Sequence, residues 1–75
     1  MTYNERTVNL KVTRAEVCDI LRAMTSLAVN FDMEASDPAT TEDRRKICAS
    51  SAKFWRERRD KIETQLDDFD KKNGL

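Results

Sequence analysis

The sequence predicts a mostly helical α+β domain: an N-terminal strand followed by an antiparallel two-helix hairpin, with the strand paired across a homo-oligomer. Residues 7–12 alternate polar and apolar side chains, which is the period of a half-buried strand. Two later stretches repeat apolar residues every three or four positions, which is the period of an amphipathic helix. The chain offers no second strand pattern, and an unpaired strand leaves its backbone donors and acceptors unsatisfied. A partner chain is therefore expected to complete the sheet.

A loose arm is predicted over residues 1–6 and the strand over residues 7–12. Thr7, Asn9 and Lys11 share one face of that strand, opposite the apolar face. Thr13 and Glu16 have the spacing of a capping box, which predicts a helix start. Helix 1 is therefore predicted over residues 14–31, with an apolar face made of Val17, Ile20, Leu21, Met24, Leu27, Ala28 and Phe31.

Pro38 separates the two helices, because proline cannot continue a helix but fits the first turn of the next one. Helix 2 is predicted over residues 40–70, followed by a tail at 71–75. Its apolar repeat contains a single charge, Arg59, among Cys48, Ala52, Trp55, Ile62, Leu66 and Phe69. Helix 2 is longer than helix 1, so its last three apolar residues project past the hairpin. The predicted oligomer interface therefore consists of Val8, Leu10, Val12, Ile62, Leu66 and Phe69.

Seventy-five residues form one small domain, and a core of this size supplies only about 3–5 kcal/mol without reinforcement. Two cysteines and no histidine give a poor donor set for a structural metal. Cys18 and Cys48 lie more than a turn apart in a simple hairpin, which favours buried free thiols over a disulfide. Oligomerisation is the remaining reinforcement, and no metal or cofactor is expected.

The net charge is zero, but it is unevenly distributed along the chain. Residues 38–61 carry eight basic and four acidic side chains, and the segments on either side each have an excess of two acids. This distribution argues against a strongly acidic DNA mimic and leaves both nucleic acid and protein open as partners. The chain shows neither a signal peptide nor a run of ~20 apolar residues, so we expect a protein without a membrane span, located in the cytoplasm.

Catalysis is not expected from this composition. The chain has no histidine and a single glycine, Gly74, so it lacks a phosphate-binding glycine loop and a nucleophile beside a general base. The candidate binding residues are instead basic and aromatic, and they are expected near the junction of two protomers: Lys11, Arg14, Phe54, Arg58 and Arg59. Trp55 is interpreted as core or as a stacking platform, and Arg59 as a surface ion pair or as an anion-binding residue.

Residues 8–24 (VNLKVTRAEVCDILRAM) resemble the start of ribbon-helix-helix repressors. In that family two protomers pair their strands and lay the ribbon in the major groove of DNA. The resemblance implies that Thr7, Asn9 and Lys11 face the bases. A shorter second helix and an inter-helix glycine, typical of the family, are absent here.

Together with KFWRERRDKIETQLDDFD, the same segment resembles the small strand-plus-helical-hairpin proteins of phages and prophages of Gram-positive bacteria. That resemblance implies a homo-oligomeric binding protein in the host cytosol. Such a protein would inhibit antiviral defence by binding a host protein or by sequestering a nucleotide. A DNA-binding regulator and a structural assembly protein remain alternatives at this stage.

Overall fold

The computed structural model describes residues 2–74, which form a hairpin of two long helices. A short 3-10 turn at Tyr3–Glu5 precedes helix α1 (Arg14–Ala35), and a loop leads to helix α2 (Glu42–Lys72). The molecule measures 47 × 31 × 16 Å, so it is a single layer of helices. The predicted arm and tail include Met1 and Leu75, which lie outside the described residues.

The predicted N-terminal strand, and with it the α+β fold class, is wrong. Residues 7–13 are irregular, and residues 2–74 contain no strand or sheet. The alternating pattern failed because a strand is stabilised by a hydrogen-bonded neighbour, and this chain supplies none. Val8 and Leu10 are consequently 72% exposed each, so alternation alone did not bury them.

Both helices begin at threonine caps. The Thr13 hydroxyl accepts from the Glu16 amide at 3.1 Å, and the Thr13 amide donates to the Glu16 carboxylate at 3.0 Å. This capping box lowers the pKa of Glu16, chiefly because the Thr13 amide donates to its carboxylate and so favours the charged form. Thr41 caps α2 by accepting from the Arg44 amide. Helix α1 ends at Ala35, four residues beyond the segment predicted from the apolar pattern.

The fully buried core consists of three small residues, Ala28 from α1 with Cys48 and Ala52 from α2. Small side chains let two helix backbones approach closely. The contact line between α1 and α2, which we call the seam, is therefore closed to solvent at this point. Both cysteines are free, with Cys48 buried and Cys18 half-buried. Larger apolar residues flank this point and are only partly covered: Val17, Leu21, Met24, Phe31, Trp55, Ile62 and Leu66.

Arginine–carboxylate pairs connect the helices at both ends. At the open end of the hairpin, Arg14 donates two hydrogen bonds to Asp70, at 2.9 and 2.7 Å. Near the loop, Arg44 donates two to Glu34, at 3.0 and 3.2 Å. The guanidinium hydrogen bonds lower the pKa of Asp70 and of Glu34, because they favour the ionised carboxylates. These paired groups fix the register of the hairpin.

Candidate functional site

One side of the hairpin carries apolar side chains that the fold leaves exposed. Ile20 and Leu27 precede Glu34 by fourteen and seven residues, so they lie on the helix face that Glu34 marks. Ile47 and Phe54 follow Arg44 by three and ten residues and share its face of α2. Because Glu34 pairs with Arg44, the two stripes lie on the same side of the hairpin. We call Ile20, Leu27, Ile47 and Phe54 the apolar side; their exposed fractions run from 38% to 56%.

The opposite side carries ion pairs, together with two exposed apolar side chains, Val29 and Met33. Asp32 pairs with Arg56 across the seam, and Asp19 pairs with Arg22 along α1. Arg59 donates to the neighbouring Asp60 at 2.8 Å and lines a shallow polar cleft there with Leu21, Arg22, Thr25, Ser26 and Glu63. The charged side chains of these three pairs therefore already have partners on this side of the hairpin.

A second cleft lies between the N-terminal arm and α2. Asn4, Glu5, Arg6 and Thr7 form one wall, and the other consists of Phe54, Glu57, Arg58 and Lys61. The Arg58 guanidinium carbon stands 4.1 Å from the centroid of the Phe54 ring, a cation–π arrangement. Phe54 also meets Trp55 edge to face, with ring centroids 5.5 Å apart. We call this the arm cleft.

The acidic and the basic side chains of the arm cleft differ in whether they have partners. Its carboxylates both have partners, since Glu5 accepts from the Thr2 amide at 3.2 Å and Glu57 lies 4.0 Å from Lys53. Its cations, Arg6, Arg58 and Lys61, form no ion pair with any residue in the range 2–74. The cleft therefore has unused positive charge beside an exposed aromatic ring.

A third cleft, of about 200 Å³, opens at the free end of the hairpin. Val12, Val17, Ile62, Leu66 and Phe69 supply its apolar lining. Four of these were predicted to form an oligomer interface, and that role stays a prediction. Within the chain, Val12 of the irregular segment lines this cleft beside the three apolar residues of the predicted overhang.

The predicted binding residues separate into four places. Phe54 and Arg58 come together in the arm cleft, as close neighbours on α2. Arg14 is held by Asp70 at the open end, and Arg59 lies on the side opposite the apolar side. Lys11 is exposed on the irregular segment between the arm cleft and the apolar end cleft.

Of the residues proposed to face DNA, Thr7 lines the arm cleft and Asn9 is exposed. Sequence reasoning missed Arg6 of that cleft, because it assigned residues 7–12 to a sheet and so turned the arm away from α2. It also missed Arg45, which stands three residues before Cys48 on the seam. Its Nε atom is buried without a hydrogen-bond partner among the described residues.

Neither helix is both long and apolar enough to cross a membrane, in the part of the chain that the structure describes. Residues 2–74 bring together no group of three or more side chains suited to hold a metal ion. No protein-family model, no curated protein and no solved structure matches this chain. Function must therefore be argued from the surfaces just described.

Proposed function

We propose that this chain is a non-enzymatic binding protein that works as a homodimer joined through its apolar side. The observation that carries the proposal is the heptad spacing of exposed apolar residues on one side of a single-layer hairpin. Domains normally bury such faces between two layers of secondary structure. Two hairpins stacked through their apolar sides would form a four-helix bundle with the usual inward-facing stripes.

A second copy is the occupant that best fits this side. Only Ala28, Cys48 and Ala52 are fully buried, and a domain of this size usually needs reinforcement beyond its own core. The two thiols are free, and the described residues offer no metal-binding cluster, so neither common reinforcement supplements that core. Association of two chains through the same face is the remaining reinforcement. A two-fold dimer requires only that this face is complementary to itself.

The test compares two substitutions on opposite sides of α1. Leu27 is 39% exposed on the apolar side, and Val29, two residues later, is 47% exposed on the opposite side. Leu27→Glu places a charge in the proposed interface, so native mass spectrometry and sedimentation should show a monomer. Val29→Glu adds the same charge outside the interface, and the dimer should persist. A monomeric wild-type chain, or equal effects of the two substitutions, would contradict the proposal.

For the biological setting we propose a phage or mobile-element protein of the bacterial cytosol, which inhibits antiviral defence by binding. Its support is the resemblance of residues 8–24 and of KFWRERRDKIETQLDDFD to small strand-plus-helical-hairpin proteins of prophages, of which this chain has the helical hairpin and not the strand, together with a surface suited to binding. The measurement is phage plating on a defence-carrying host that expresses the chain or Leu27→Glu. Rescue by the wild type and loss with the variant is the expected outcome, and equal plating with an empty vector would refute it.

The other two functions have less support. A ribbon-helix-helix regulator requires a strand at residues 7–12, and this segment is irregular, so no observation favours it. A structural assembly protein would form a species much larger than a dimer. The same native mass spectrum distinguishes that outcome from the proposed homodimer.

A further inference from the structure

We infer that the arm cleft binds a nucleoside phosphate, with its phosphate on Arg6, Arg58 and Lys61 and its ring against the Phe54–Arg58 pair. The inference rests on the proposed function in one respect, that the chain acts by binding and not by turnover. It adds a site and a ligand class that the dimer proposal does not supply.

The charge of the cleft favours a phosphate group. Three cations from two different segments line the cleft without an ion-pair partner within residues 2–74, whereas Glu57 lies 4.0 Å from Lys53 and Glu5 accepts from the Thr2 amide. Elsewhere on the hairpin, arginines such as Arg14, Arg44 and Arg56 are held by carboxylates. Arginine and lysine recognise phosphate through charge-assisted hydrogen bonds, and unpaired cations provide these without breaking an existing pair.

The aromatic ring favours a flat group beside that phosphate. Phe54 is 46% exposed, and Arg58 lies over its ring at 4.1 Å, so an apolar face and a guanidinium occupy the same wall. Bases stack on both types of surface. On the arm, the Asn4 amide and the Thr7 hydroxyl can donate to or accept from a base edge or a sugar. An inorganic phosphate would leave all of these groups unused.

The position of the cleft links it to the proposed dimer. Phe54 belongs both to the apolar side and to the arm cleft, so the ligand would lie at the edge of the protomer junction. Arg58 and Lys61 follow Phe54 by four and seven residues, so they continue its face of α2 toward the open end of the hairpin. Substituting either one changes the cleft without placing a charge in the dimer face.

The experiment is calorimetric titration with the four ribonucleoside triphosphates, tripolyphosphate and adenosine. Trp55, the single tryptophan, provides a second readout because it contacts Phe54. At least one nucleotide should bind about tenfold more tightly than tripolyphosphate or adenosine, and its affinity should fall as salt is raised. No binding by any of the four, or equal binding by tripolyphosphate, would overturn the inference.

A matched pair of variants locates the site. Arg58→Ala should weaken nucleotide binding about tenfold, because it removes a phosphate ligand and part of the stacking surface. Arg22→Ala removes the same charge from α1 on the side opposite the apolar side, where the side chain is 81% exposed, and should leave affinity unchanged. Equal losses in both variants would place the ligand elsewhere.

Native mass spectra of the same samples separate this inference from the dimer proposal. A dimer that binds no nucleotide overturns the inference alone. A monomer that binds nucleotide and loses it with Arg58→Ala overturns the dimer alone.

Discussion

The two halves of the hairpin differ in the size of the side chains that they bury. In the half nearest the loop, Ala28, Cys48 and Ala52 are completely buried although they are small. In the open half, larger side chains such as Ile62 and Leu66 remain partly exposed and line a cleft of about 200 Å³. Two packed helices bury only the side chains that lie directly between them. Small residues on the contact line are therefore buried, and large residues extend beside it and stay partly exposed. In a single-layer protein, side-chain size therefore decides burial as much as hydrophobicity does.

The half nearest the loop should be the less tolerant of added volume. Ala52→Leu inserts three carbons where the helices are in contact, and we expect the free energy of unfolding to fall by about 1–3 kcal/mol. Chemical unfolding followed by circular dichroism measures this change. Ala49→Leu is the control, since position 49 is exposed on the same helix. If Ala52→Leu were as stable as the control, the two helices would not be in close contact at this point.

The two cysteines test the same difference between the halves in the wild-type chain, because one cysteine lies in each half. Burial raises the pKa of the Cys48 thiol, and a hydrogen bond with Glu34 raises it further, so less thiolate forms. Cys18 is half-buried in the open half. Alkylation by iodoacetamide, followed by peptide mass spectrometry, should therefore modify Cys18 at least about tenfold faster. Equal rates would mean that the half nearest the loop opens as readily as the other.

The helices were largely predictable because their signals are local. The capping box at Thr13 and the repeat containing Cys48, Ala52 and Trp55 depend only on neighbours within a few positions, and they correspond to the observed helix start and seam. The strand depended on a partner outside the chain, and the pattern at residues 7–12 contains no information on whether that partner exists. Alternation shows only that side chains point to two sides.

The candidate site was predictable only in part, for the same reason. Phe54 and Arg58 are four residues apart on one helix, so their contact follows from helical spacing. Arg6 reaches the same cleft from about fifty positions away, through an arm whose path no local pattern describes. The exposure of Leu27 likewise depends on how two helices cross. Both features depend on contacts between residues far apart in the sequence, and local sequence patterns do not report such contacts.

Acid should loosen both halves, since each has an arginine–carboxylate pair in which the guanidinium lowers the pKa of the carboxyl group. The pKa values of Asp70 and Glu34 lie below their unfolded values of about 4, so the charged forms bind more tightly in the folded chain. Their stabilising effect is complete above the unfolded pKa and is lost as pH falls through the folded one. The free energy of unfolding should therefore decline from about pH 5 downward.

Two amide variants assign that decline to one half or the other. Asp70→Asn should lower stability at pH 7 and flatten the acid decline by removing the open-end contribution, and Glu34→Gln should do so for the loop end. Asp67→Asn, exposed on α2 and in no ion pair with another described residue, should retain the wild-type profile. Unchanged profiles in both paired variants would mean that the guanidinium bonds do not hold the helices. A larger change with Asp70→Asn would fit the partly exposed apolar packing of the open half, which leaves that pair with less support from buried neighbours.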